Sequence, residues 1–180
     1  MKAYNINNNI VFTTDSYDLQ YLIEERNFSA DEMKYPKIQA GRIVVDTVAK
    51  TQADTIKLNQ LYGTKYQAIK AQEEVRIKQG FTYTLNGVLT RFNADDKGQR
   101  FLNGLATMVV ANILTTDFGP FTAYDNTDVT IPHADIIPLG VACVQYIQSV
   151  HAWKRTKEAA LDALYAANNI VGMEAFDPGA

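Results

Sequence analysis

The dipeptide Asn86-Gly87 constrains this chain more than any other pair of residues in it. A type I′ turn needs positive φ at both central positions, and Asn-Gly tolerates that best. A two-residue loop fixes the register of the strands on either side. Within residues 80–93 it sets Leu85 opposite Val88, Tyr83 opposite Thr90 and Phe81 opposite Phe92, all on one face. Thr82, Thr84, Leu89 and Arg91 fall on the other face. A slip of one residue would mix the two, so turn and pattern agree. The aromatic pair at the open end adds ~0.5–1 kcal/mol. The apolar face requires a cover, and one follows at once. Asn93 is the expected cap of a helix with Asp95 and Asp96 in its first turn. Phe101, Leu105, Met108, Val109 and Ile113 form its apolar stripe.

Upstream lies a small β-rich module over residues 1–45. Ile10-Val11-Phe12 and Arg42-Ile43-Val44-Val45 read as short strands. Ser16 or Asp18 is the expected cap of a helix to about Arg26, with Leu19, Leu22 and Ile23 on one face. A long helix over residues 46–79, capped by Asp46 or Thr47, connects this module to the hairpin. Val48, Thr55, Tyr62 and Ile69 recur every seven residues in it. Leu58, Leu61, Tyr62, Tyr66 and Ile69 occupy a wide arc and are the expected partner interface, with another helix or a second copy of the chain; the alternative is that the helix folds back on the last helix and hides the arc within one chain.

Downstream, residues 115–132 read as an irregular, packed loop carrying Phe118, Phe121 and Tyr124. Asp125 and Asn126 are expected to fix its turn through side chain to backbone hydrogen bonds, a structural role like that of Asn86 and Gly87. A final helix runs to about Asn168. Asp135 is its expected N-cap, which places Pro138 at the third helical position, where its missing N–H costs nothing. Val144, Ile147, Val150, Leu161 and Leu164 form its buried stripe. Residues 80–172 thus make a hairpin–helix–helix domain, with 173–180 as a loose tail. The fold class is α+β.

The chain of 180 residues is 47% hydrophobic, with a net charge of −3, which argues against nucleic acid as a partner. Its single cysteine, Cys143, sits in an apolar run and excludes an internal disulfide. No run reaches the length of a membrane helix, so no membrane insertion is expected. His133 and His151 lack zinc-ligand spacing, and Asp117, Asp125, Asn126 and Asp128 fit no calcium loop. Asp95 and Asp96 are adjacent on a helix and cannot converge on one substrate. No catalytic, cofactor or metal residue is assigned, and the expectation is a protein that is not an enzyme.

The order of pieces carries a resemblance. Gly80-Phe81, Asn86-Gly87-Val88 and Asp95-Asp96 opening a helix come first. Tyr124-Asp125-Asn126-Thr127-Asp128-Val129-Thr130 follows, then His151-x3-Arg155 and the alanine-rich helix Leu161–Ala167. Together these resemble a bacteriophage tail-associated family of the domain-of-unknown-function kind, over about Gly80 to Asn168. The chain departs from the pattern at Phe121-Thr122-Ala123-Tyr124, where a Trp-containing stretch is usual, and at Pro138. The resemblance implies a structural or adaptor protein of the phage tail, made in the host cytoplasm, which contacts other tail proteins and itself. Its alternatives are a tail-fibre assembly chaperone and, from another class, a glycan or cell-wall hydrolase. It carries over no catalytic residue.

Overall fold

The computed structural model describes residues 1–6, 9–13 and 22–179. The fold is α+β, and the chain divides into two compact units, Met1–Gln60 and Leu61–Ala180.

In the first unit, β1 (Lys2–Ile6) pairs antiparallel with β2 (Asn9–Thr13) on one side and β3 (Leu22–Glu25) on the other. The expected helix through Arg26 is therefore wrong over its last turn, where the backbone pairs with β1. Ser16, Asp18 and Leu19 lie outside the described residues. A one-turn helix α1 (Ala30–Lys34) starts at a capping box: Ser29 accepts from Glu32 N–H while Glu32 accepts from Ser29 N–H. The hairpin β4 (Pro36–Gln39) and β5 (Arg42–Val45) follows. Arg26 ties these pieces together. Its guanidinium bridges Glu24 at 2.8 Å and Glu32 at 2.6 Å and donates to the Ile43 carbonyl at 3.0 Å. The Arg26 guanidinium and the Ser29 amide hold the Glu32 carboxyl at a pKa of about 2. These acids serve an internal arginine. Asp46 then caps the long helix α2 (Thr47–Gln79) by accepting from the amides of Val48 and Ala49.

The unit boundary lies within α2, and Leu61–Gln79 belongs to the second unit. There β6 (Phe81–Leu85) and β7 (Val88–Phe92) pair in the register that Asn86-Gly87 dictates. Asn86 has φ 49° and Gly87 φ 81°, as a type I′ turn requires. Phe81, Leu85 and Phe92 are buried, while Val88 at the tip lies beyond the cover and is exposed. The covering helix α3 (Asp96–Val110) is capped by Asp95, two residues later than expected, because Ala94 is wholly buried and the Asp95 carboxylate takes the Gly98 amide at 2.8 Å. This turns Leu102 and Leu105 inward and leaves Met108 and Ile113 exposed, contrary to the expected stripe. The helix stops because Asn112 adopts φ 56°. The amides of Asn112 and Ile113 close a Schellman motif on the carbonyls of Val109 and Met108.

Residues expected as an irregular loop form a second hairpin, β8 (Phe118–Thr122) and β9 (Asp128–Ile131). Alternation was hidden by the Gly119-Pro120 irregularity in its register. Phe121 stacks on both Phe92 and Phe101 and joins this hairpin to the core. The last long helix α4 (His133–Ala166) begins at Pro132, with no side-chain cap of its own. The expected cap, Asp135, instead sits in the first turn and accepts from the Tyr83 hydroxyl at 3.0 Å. Asp117, from the preceding segment, takes the His133 amide at 2.9 Å. A distant residue does the capping, so Pro138 lies inside the helix. Its missing N–H leaves the Ala134 carbonyl without the usual helical donor. A short helix α5 (Ile170–Ala175) follows, and its Met173 is fully buried. The expected loose tail is thus anchored at its start, with Lys65 donating to the Phe176 carbonyl at 2.7 Å.

Candidate interaction surface

The long helices of the second unit meet along a seam of alternating three- and four-residue steps. On α2 the inward positions include Tyr62, Tyr66, Ile69, Glu73 and Arg76; on α4 they include Tyr146, Val150, Trp153, Lys154 and Leu161. The contacts run antiparallel. The Tyr62 hydroxyl donates to Asp162 at 2.7 Å and its ring packs on Tyr165. That hydrogen bond and burial push the Tyr62 phenol up to about 12. Further along, Glu73 meets Lys154 at 2.7 Å and His151 at 2.9 Å, and Tyr146 donates to the Arg76 carbonyl.

This seam corrects the expected partner interface. Ile69 is 0% exposed, and so is Leu161 across the seam. Tyr62 and Tyr66 stack on each other and are half-buried, as is Leu61. Leu58 is buried in the first unit. The arc that was expected to need a second molecule is largely satisfied within the chain.

Glu73 gives the seam a pH dependence. Burial alone would raise its pKa, but the Lys154 ammonium and the His151 ring more than offset this and hold it low. A carboxyl depressed in the folded state stabilises fully above its unfolded value and loses that contribution as pH falls through the folded one. Stability measured by denaturant should therefore fall as pH drops below 4.5, the ordinary value for the group. Glu73→Gln should flatten that part of the curve. Identical acid slopes for parent and variant would remove Glu73 from the account.

What remains uncovered lies elsewhere. The first half of α4 is apolar nearly all round. Ile136, Leu139 and Cys143 face the core, and burial raises the Cys143 thiol's pKa. Ile137, Val141 and Val144 face outward at 41%, 49% and 46% exposure. Val144 was expected in the buried stripe; the core takes Cys143 in its place, while Ile147 packs against the core as expected. The exposed stripe flanks a groove of about 410 Å³ along α3 and α4, with Ala106 and Gly140 in its lining. Val110, at the end of α3, and Ile113, just past it, are exposed. A second apolar strip, in the first unit, runs along the start of α2 with Val48, Thr51, Thr55 and Ile56. It keeps the seven-residue step from Val48 to Thr55 that the sequence displayed. The α4 strip had a sequence signal too, since a helix apolar on every side needs cover on every side.

The other residues singled out have local duties. Asp125 accepts from the amide and the hydroxyl of Thr127, which lower its pKa, and Asn126 takes φ 63° at the turn. Asp128 accepts from Thr122, and the His133 ring meets the Leu114 carbonyl. Among the described residues no helix is long and apolar enough to cross a membrane.

No curated protein and no solved structure matches this chain. Residues 60–176 match the model of a family described as a domain of unknown function, DUF4376. That span begins where the second compact unit begins, at the Gln60–Leu61 boundary. It takes in the β6–β7 and β8–β9 hairpins, α3, α4 and all of α5. With more than half of its length matched, the chain belongs to the DUF4376 family.

Proposed function

We propose that this chain is a non-enzymatic structural or adaptor protein of a bacteriophage tail, working through protein–protein contacts after synthesis in the host cytoplasm. One observation carries the interaction reading: the outward apolar stripe Ile137, Val141 and Val144 on a helix whose opposite face is already core. Three large aliphatic side chains on one face, beside an apolar groove, form the kind of patch that marks a contact surface. The phage-tail part of the reading draws on the resemblance carried by Gly80-Phe81, Asn86-Gly87-Val88 and the Asp125–Thr130 segment.

Mass spectrometry of purified particles tests the assignment. A virion component is present in stoichiometric amount; absence from the particle would favour an assembly chaperone that acts in the cytoplasm and leaves. Val141→Asp with Val144→Asp tests the surface. Two unpaired carboxylates in a desolvated contact cost several kcal/mol, so attachment to the tail partner should weaken by at least about a hundredfold. Both positions are exposed, so the unfolding midpoint should stay put. Normal incorporation of the double variant would exclude this face as the contact.

A further inference from the structure

A cleft of about 760 Å³ opens within the second unit, beside the end of α2, β6 and the middle of α4. Two arginines, Arg76 and Arg91, line it, and no carboxylate does. Both guanidinium planes are held by stacking. Arg76 lies 4.1 Å from the Trp153 ring centroid and Arg91 4.2 Å from that of Tyr124. Stacking fixes a guanidinium by its face and leaves its N–H edge for acceptors. Part of each edge is used on carbonyls: Arg91 Nε donates to Gln79, and Arg76 donates to Gly179 at 3.2 Å. The buried Arg76 Nε has no hydrogen-bond partner. Among the described residues neither guanidinium has a carboxylate to pair with. The nearest acid along the seam, Glu73, is taken by His151 and Lys154. Burial raises the Tyr146 phenol's pKa, and the charges of Arg76 and Arg91 only partly oppose it, so both act on that hydroxyl. Phe81 and Tyr146 stack at 6.1 Å and form an apolar wall.

We propose that this cleft binds an oxyanion-bearing ligand, with a carboxylate or phosphate group held by Arg76 and Arg91 and its carbon skeleton against Phe81, Tyr146 and Trp153. Two guanidiniums held over aromatic rings, with no counter-charge among the described residues, are a preorganised acceptor for a planar or tetrahedral anion. The volume suits a ligand the size of a sugar acid or an acidic side chain with its backbone. The cleft adjoins the α3–α4 groove at Gln145, but neither arginine lines that groove.

Trp153 is the single tryptophan of the chain, so its fluorescence reports on the cleft directly. The full chain is titrated at constant ionic strength with sodium glucuronate, inorganic phosphate and a blocked Asp-Glu-Asp peptide. A saturable response to at least one probe is expected, and the responding probe separates a sugar acid, a free phosphate and an acidic protein segment as the source. Arg91→Gln should weaken that response by roughly tenfold or more, the loss of one charge-assisted pair. Ser149→Glu, at an exposed helical position on the rim, should weaken it likewise by placing a carboxylate in the cleft. Ser149→Glu should unfold at the parent's midpoint, Arg91→Gln somewhat below it through loss of its contacts to Tyr124 and Gln79, and Arg91→Lys should restore part of the affinity. No saturable response to any probe in the millimolar range, or equal affinity in parent and both variants, would overturn the proposal.

Discussion

Ile69→Asp is expected to destabilise the second unit severely. The side chain is fully buried, seven residues from both Tyr62 and Arg76, and so on the same helical face as the contacts to α4. The substitution removes a large aliphatic group and buries an unpaired carboxyl. The two effects together cost about 4 kcal/mol or more. That is a large share of the ~5–15 kcal/mol by which a domain is stable. Urea denaturation followed by circular dichroism measures it, with Leu61→Asp as the milder comparison, since Leu61 is only half-buried. The same variant decides between two packings of α2. If Ile69 served an intermolecular seam, Ile69→Asp would leave a folded monomer with the parent's midpoint, and the internal α2–α4 seam would be refuted.

Gly80→Ala comes next in size. Gly80 joins α2 to β6 with φ +70°, a conformation that costs an L-residue about 1–2 kcal/mol. A methyl group there would also sit 2.1 Å from the Phe92 carbonyl oxygen, which is backbone and cannot swing aside. Relief requires the open end of the β6–β7 hairpin to move, where Phe81 and Phe92 are buried. A total loss of about 3 kcal/mol or more is expected. Gly87→Ala is the control. Gly87 has φ +81° but nothing within 4 Å of the added methyl, so it bears the conformational cost alone. Equal melting losses for the two variants would show that the close approach at Phe92 is not a constraint.

The residues of the β6–β7 hairpin determined it without help from the rest of the chain. Asn86-Gly87 sets turn type, turn type sets register, and register sets which side chains share a face; every step is local. The same holds for the Asp46 cap and for the turn at Asp125 and Asn126, where a side chain reaches its own neighbours. Other features depended on partners far along the chain. Asp117 caps α4 from sixteen residues upstream of His133, which freed Asp135 to bind Tyr83 and put Pro138 inside the helix. The α2 arc has a heptad pattern that any facing helix could satisfy, and only the packing of α4 and α5 made that helix an internal one. The clustering of Arg76 with Arg91, and the outward turn of Val141 and Val144, follow from how those helices are rotated in the core. Helical periodicity names a face but not its neighbour. The neighbour is chosen by burial summed over the whole unit, which no local stretch of sequence contains.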